Sequence, residues 1–131
     1  MRLFRRLFSR SVSSQIEIPV IHTEDEFRQL CARETGVLFK HSPTCFASMA
    51  AHRRVKVFAE GHPGIPISMV SVIAQREFSR SIAARTRVRH ESPQVIVLRF
   101  GQVIAHMSHD QITAERLEQL TQAPTAAVGP A

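Results

Sequence analysis

The chain has 131 residues, 44% of them hydrophobic, which fits one domain with one hydrophobic core. Its net charge of +6 is concentrated at the start: 4 of the 17 basic residues precede the first acidic one, and the remaining 13 are nearly balanced by 11 acidic residues. This distribution and the absence of Trp and Tyr argue against nucleic-acid binding, and no apolar stretch approaches the roughly 20 residues of a transmembrane helix.

Residues 1–16 are predicted to form a basic amphipathic arm. The apolar residues that would share one helical face of this arm are Leu3, Phe4, Leu7 and Phe8. Three interpretations stay open: a loosely docked arm, an organelle-targeting segment and an anchor on a membrane surface. Residues 123–131 contain Pro, Gly and small side chains and are predicted to be a disordered tail. The folded domain is therefore expected over residues 17–122.

A capping box predicts where the first helix of the domain begins. The Thr23 hydroxyl can accept a hydrogen bond from the amide of Glu26, whose carboxylate reaches back. The helix is expected over residues 24–34, and Gly36 is expected to end it. Cys31 falls on the apolar face, so we interpret it as a small core residue rather than a reactive thiol.

A short buried strand and a long helix are predicted next. The apolar run at residues 37–39 is typical of a strand in the middle of a sheet, and it stops at residues 41–43. The helix is expected over residues 44–60, with Cys45 at its start. Its buried face is predicted to consist of Ala47, Ala51, Val55 and Phe58.

The remaining elements predict an α/β fold with a mixed sheet. In order they are a loop at residues 61–66, a strand at 67–74, a helix at 77–85, two strands at 94–100 and 103–107 joined at Gly101, and a helix at 113–120. The first three strands alternate with helices, which predicts parallel crossovers, and the final hairpin must be antiparallel. A central mixed sheet covered by helices is therefore expected.

Cys45 is the candidate nucleophile. It is predicted to lie where a strand ends and a helix begins, and there the unpaired amides and the helix dipole favour a thiolate. Pro43 forces the residue before it into an extended conformation, which helps to present the sulfur at the surface. Two cysteines are too few for a disulfide-stapled scaffold, so we expect a reducing compartment, the cytoplasm.

The dipeptide Ser92-Pro93 is the second candidate element of the site. If its peptide bond is cis, the backbone of Ser92 is exposed as an edge that can pair with a substrate strand and hold a disulfide in line with the attacking sulfur. A trans proline that simply starts the following strand is equally compatible with the spacing.

Three separated segments agree in order with one known family. They are VLFKHSPTC with the helix that follows it, RVRHESPQVIVL, and HMSHDQIT. Over residues 18–122 the chain resembles the bacilliredoxin-like, YtxJ-type family of thioredoxin-fold proteins. The resemblance implies a thioredoxin-like fold with a mixed four-stranded sheet, flanking helices and an extra N-terminal helix. It also implies that Cys45 is the single active thiol and that Pro93 is the cis-proline.

The resemblance further implies a monothiol oxidoreductase that removes bacillithiol from mixed disulfides. Its partners would be bacillithiolated client proteins, with bacillithiol or another low-molecular-weight thiol as co-substrate and no bound metal. The residues expected to contact the co-substrate are Thr44, Phe46, Ser92 and Pro93. The basic side chains that could hold its carboxylates, unless they are simply solvated, are Lys40, Arg87 and Arg89.

The chain departs from this family just after the active cysteine. Family members commonly continue with Pro-Ile-Ser, whereas here Cys45 is followed by Phe46, Ala47 and Ser48. Ser48 occupies the position where a dithiol enzyme carries its resolving cysteine. Because serine cannot form a disulfide, an external thiol must release any mixed disulfide on Cys45.

Three other kinds of site are compatible with Cys45. With His41 and His52 it makes an incomplete metal-ligand set. With Ser48 it forms a C-x-x-S pattern like that of monothiol glutaredoxins, in which paired subunits share an iron–sulfur cluster. The third is a non-catalytic redox sensor or adaptor, in which Cys45 accumulates oxidised adducts without turnover.

Overall fold

The computed structural model describes residues 16–122, so residues 1–15 of the predicted arm and the whole predicted tail lie outside the described residues. The elements in chain order are α1 (Glu24–Cys31), β1 (Thr35–His41), α2 (Phe46–Gly61), β2 (Ile67–Ser71), α3 (Arg76–Thr86), β3 (Gln94–Arg99), β4 (Gln102–Ser108), a short 3-10 helix (His109–Gln111) and α4 (Ala114–Thr121). In this part of the chain, no helix has the length and apolar character needed to span a bilayer.

The four strands form one mixed sheet in the order β2-β1-β3-β4. This confirms the predicted α/β class with a four-stranded sheet and an N-terminal helix, α1. β1 and β2 are parallel, and β3 and β4 form the predicted antiparallel hairpin. Its two-residue turn has positive φ at both Phe100 and Gly101, 47° and 80°, which is the type I′ geometry that matches the twist of the flanking strands.

The direction of β3 corrects the expectation of parallel crossovers among the first three strands. β3 is antiparallel to β1, and Lys40 pairs with Gln94. The seven residues at 87–93 that join α3 to β3 explain the difference. In extended form they span roughly 23 Å, which is enough to carry the chain back along the sheet before β3 begins. β3 therefore starts at the end of the sheet where β1 stops.

The sheet separates two hydrophobic clusters, one on each face. Side chains from successive positions of a strand point to opposite faces, so Phe39 joins one cluster and Leu38 the other. The Phe39 cluster is covered by residues of α2 and α4, and the Leu38 cluster by residues of α1 and α3. The result is a three-layer arrangement in which β1 and β3 are buried on both faces.

The start of α1 confirms the predicted Thr23 cap, although the Glu26 carboxylate reaches the amide one residue before the N-cap, and the end of the helix does not follow the prediction. The Glu26 amide donates to the Thr23 hydroxyl at 3.1 Å, and the Glu26 carboxylate accepts from the amide of His22. The helix ends at Cys31, and Gly36 lies inside β1. A Cβ at Gly36 would lie 3.0 Å from Cδ1 of Leu30, so a larger residue would displace Leu30, and the glycine allows the helix to pack closely on the strand.

Two further side-chain expectations are resolved in the described part of the chain. Cys31 is half-buried and packs against the Leu38 cluster, and burial raises the pKa of its thiol. In α2, Ala47 was predicted to be buried but is exposed, and Ser48 is buried instead. The buried positions are then spaced by three, four and three residues, which is the helical repeat.

Lys40 is fully buried near the end of β1, and was not expected to be. It alternates with Phe39 and so lies on the same side of the strand as Leu38. Its ammonium lies 3.1 Å from Nδ1 of His90, and burial lowers the pKa of Lys40 to about 8. Since the unfolded chain keeps this lysine protonated to higher pH, folding is favoured as the pH rises.

We therefore predict that the free energy of unfolding increases by about 2 kcal/mol between pH 7 and about pH 9.5 relative to a Lys40→Met variant. The folded protein loses the Lys40 proton near its lowered pKa, whereas the unfolded chain still binds it. Urea denaturation of both proteins across this range measures the two free energies of unfolding. Both proteins contain Cys31, whose raised pKa also makes stability depend on pH, and this contribution cancels when one free energy is subtracted from the other. Parallel pH profiles of the two proteins would contradict the prediction.

Candidate functional site

The candidate site lies at the end of the sheet where β1 stops. Because Lys40 pairs with Gln94, the Pro93 that precedes β3 lies beside the last residue of β1, His41. Cys45 follows His41 by four residues. The sheet therefore brings the cysteine loop and the Ser92-Pro93 segment, which are far apart in sequence, to one end of the fold.

Cys45 is half-buried and is the N-cap residue of α2. Its amide donates to the Ser42 carbonyl at 3.1 Å, which closes a turn, and its carbonyl accepts from the Met49 amide at 2.9 Å. The amides of residues 46–48 come before this first helical hydrogen bond and have no acceptor within the helix. Its thiol does not hydrogen-bond to an amide of the first turn. These donors and the positive end of the helix dipole lie at the N-terminus of α2, where Cys45 is the cap residue.

Exposed side chains flank the cysteine. Thr44 is exposed, and 89% of the surface of Phe46 is accessible to solvent. Met49, one turn further along α2, is 41% accessible. An aromatic ring this exposed in the first turn gives the surface beside Cys45 an apolar character.

The Ser92-Pro93 peptide bond is cis. Pro93 is buried, and its carbonyl accepts from the amide of His109 at 3.1 Å. Just before it, the Glu91 carboxylate accepts from the Ser108 hydroxyl at 2.5 Å, and this hydrogen bond lowers the pKa of Glu91. The hydroxyl of Ser92 is buried and has no hydrogen-bond partner among residues 16–122.

Ser48 has a structural role that the sequence reasoning missed. Its hydroxyl accepts from the Ser42 amide at 2.8 Å and shares a 2.7 Å hydrogen bond with Nδ1 of His41. Both Ser48 and His41 are buried. One hydroxyl thus ties the end of β1, the cysteine loop and the first turn of α2 together. His41 and Ser48 are two polar residues seven positions apart across a strand–turn–helix junction, and this spacing could have indicated the hydrogen bond between them.

His41 and His52 belong to an aromatic cluster under α2. The ring centroids of His41 and His52 are 4.6 Å apart, and His41 stacks on Phe39 at 5.4 Å. Burial lowers the pKa of both histidines. Within the described residues no group of three or more His, Cys, Asp or Glu side chains is placed to hold a metal ion.

The three basic residues considered for carboxylate binding lie in different environments. Lys40 is buried at the site end of the sheet. Arg87 ends α3 with φ 59° and lines a pocket with Cys31 and Gly101, at the opposite end. Arg89 is exposed in the connection to β3, where its carbonyl accepts from the Gln94 side chain.

A family model described as monothiol bacilliredoxin matches residues 19–117. Among solved structures, a candidate oxidoreductase with a thioredoxin fold is 27% identical, with a TM-score of 0.75 over 79% of this chain and 92% of that one. Thioredoxin from Trypanosoma brucei brucei is 18% identical, with a TM-score of 0.65 over 79% and 87% of the two chains. Mitochondrial thioredoxin 3 from Saccharomyces cerevisiae is 17% identical, with a TM-score of 0.64 over 80% and 93%. The two thioredoxins show the fold.

The hydrogen bonds of Ser48 predict that Ser48→Ala lowers the free energy of unfolding by about 1–3 kcal/mol, because it leaves a buried amide and a buried imidazole without their partner. Urea denaturation measures the loss. Ser68→Ala is the matched control, since Ser68 is a buried serine whose side chain makes no hydrogen bond within the described residues. Equal losses in the two variants would show that Ser48 does not have this role.

Proposed function

We propose, from the fact that this chain belongs to the monothiol bacilliredoxin family, that it removes bacillithiol from mixed disulfides on client proteins through Cys45. The family and the thioredoxin-like fold both support a redox function. The finer assignment, de-bacillithiolation, follows from the family, and the site supports it by presenting a single accessible thiol.

The observation that carries the proposal is the position of a single thiol at a helix N-cap. Cys45 is accessible in part, and it lies at the N-cap of α2, where the amides of the first turn have no acceptor within the helix. The other cysteine, Cys31, packs against the core at the edge of α1, and burial raises its pKa, which disfavours the thiolate. The chain therefore presents one nucleophilic sulfur.

The proposed reaction is two successive thiol–disulfide exchanges. The Cys45 thiolate attacks the bacillithiol sulfur of the client's mixed disulfide, so that a new disulfide forms on Cys45 and the client's cysteine leaves as a thiolate. A second bacillithiol thiolate then attacks the adduct, which yields bacillithiol disulfide and restores Cys45. Two electrons pass in each exchange, and the leaving thiolate takes its proton from water. Ser48 cannot resolve the adduct, because its hydroxyl is not a thiol and is held by Ser42 and His41.

We assign contacts with the substrate to the residues around the sulfur. Phe46 and Thr44 are exposed beside Cys45 and are available to a client surface. The Ser92 backbone, just before the cis peptide bond, can pair with an extended client segment. Pro93, which is buried, holds the Ser92 backbone in place for this pairing. The chemistry requires a reducing thiol pool, which is consistent with action in the cytoplasm.

The test is intact mass spectrometry of the protein after incubation with a bacillithiolated client, with and without added bacillithiol. We expect an adduct on the wild type that disappears when the second thiol is added, because the second exchange releases it. Cys31→Ala should behave in the same way. Cys45→Ala should form no adduct and leave the client modified.

Each other outcome would overturn the proposal. An adduct that persists in the presence of excess bacillithiol would identify a redox sensor. An adduct on Cys31 would contradict the choice of thiol. Complete absence of transfer, with the client unchanged, would exclude the activity.

We further predict that Phe46→Ala lowers kcat/KM for a protein client about three- to tenfold and leaves the rate with a small-molecule disulfide unchanged, because a client surface can bury the exposed ring whereas a small disulfide at the sulfur covers little of it. Val57→Ala is the matched control, because Val57 is an exposed apolar residue further along α2. Stopped enzyme assays with both substrates measure the two rates. A similar loss with the small disulfide would place Phe46 in the reaction of the sulfur instead of in client binding.

A further inference from the structure

We propose that a pocket beside the cysteine loop binds the carboxylate groups of the low-molecular-weight thiol whose sulfur is exchanged at Cys45. This inference rests on the proposed function and adds a specificity site to it. The pocket, termed the α3 pocket, has a volume of about 360 Å³. Its lining residues are Val72, Ile73, Arg76, Ser79, Arg80 and His90.

The α3 pocket lies at the same end of the sheet as Cys45. The Val72 amide donates to the carbonyl of His41 at 3.0 Å, and His41 is the last residue of β1 before the cysteine loop. On its other side, His90 precedes Ser92 by two residues. The pocket is therefore bounded by the segments that lead to the two parts of the candidate site.

The lining of the α3 pocket is basic and contains no acidic residue. Arg76 and Arg80 are one turn apart on α3, and neither forms an ion pair with a carboxylate of residues 16–122. Glu77, between them in sequence, is exposed and does not line the pocket. Two guanidinium groups on one helix face can each hold a carboxylate through paired hydrogen bonds.

Lys40 adds a buried positive charge behind this surface. Its ammonium donates to Nδ1 of His90 at 3.1 Å, and the Ser79 hydroxyl is 3.4 Å from the same nitrogen. No carboxylate in the described residues lies within ion-pair distance of Lys40. Buried charges in proteins are ordinarily paired, so a bound anion would supply the missing countercharge.

The same contact fixes what His90 offers to a ligand. A protonated amine has no lone pair to share, so Nδ1 of His90 must accept, and the proton of the neutral ring is on Nε2. The pocket thus presents an imidazole N–H donor together with two guanidinium groups. This set is suited to a ligand with two carboxylates, of which malate is a simple example, and the low-molecular-weight thiol of the proposed reaction carries carboxylates.

The test compares Arg76→Gln/Arg80→Gln with the wild type on one peptide that lacks acidic residues. The peptide carries a mixed disulfide either with bacillithiol or with 2-mercaptoethanol, which has no carboxylate. We expect the variant to react at least tenfold more slowly with the bacillithiol disulfide and within twofold of the wild type with the other. Arg53→Gln/Arg116→Gln, which removes two exposed arginines elsewhere, is the control for net charge.

Several results would overturn the inference. An equal loss with both disulfides would mean that the arginines support the fold. An equal loss in the control variant would mean that only the net charge matters. A selective loss with a 2-mercaptoethanol peptide that contains aspartates would identify the client as the source of the carboxylate.

A second measurement separates this inference from the proposed function. Titration of the wild type with malate, followed by amide NMR, should shift the signals of residues 72–80 and His90, and these shifts should vanish in Arg76→Gln/Arg80→Gln. If the wild type transfers no bacillithiol but malate binds here, the proposed function fails and the anion pocket stands. If transfer occurs and malate shifts no signal in this region, the pocket is refuted.

Discussion

The cysteine loop is held in place by one buried hydroxyl. Ser48 accepts a hydrogen bond from Ser42 and makes another with His41, so the last residue of β1 and the first turn of α2 are fixed relative to each other. Because the carbonyl of Ser42 also accepts from Cys45, the turn between them has little freedom. The position of the sulfur at the N-cap follows from this network, and so does its proximity to the amides of the helix.

The sheet determines what surrounds that sulfur. Between α3 and β3 the chain runs back along the full length of the sheet. The segment before β3 therefore lies at the same end of the sheet as the cysteine loop. Residues 41, 72 and 93 meet there from three different strand ends. The cysteine loop, a proline-bounded strand end and a basic pocket thus lie at one end of the sheet, although their residues are spread over some fifty positions of the sequence.

Local patterns predicted the elements, and long-range contacts decided what could not be predicted. The helix cap at Thr23 and the glycine turn at residue 101 were predictable, because a helix start and a tight turn depend on neighbouring residues. The antiparallel direction of β3 was not, since it depends on the path of a connection without regular structure. The roles of Ser48 and Lys40 depend on partners that only the tertiary fold supplies. The cysteine itself was identified from its place between a strand and a helix, together with the family resemblance.

The alternation of side chains at the end of β1 limits how this protein can change in evolution. Phe39 and His41 face the aromatic cluster, while Lys40 faces His90 across the opposite side of the sheet. A single-residue insertion or deletion within the strand would exchange the two faces and place an ammonium group among neutral rings. Related sequences should therefore keep the number of residues within this strand unchanged, whereas insertions in loops away from it are tolerated.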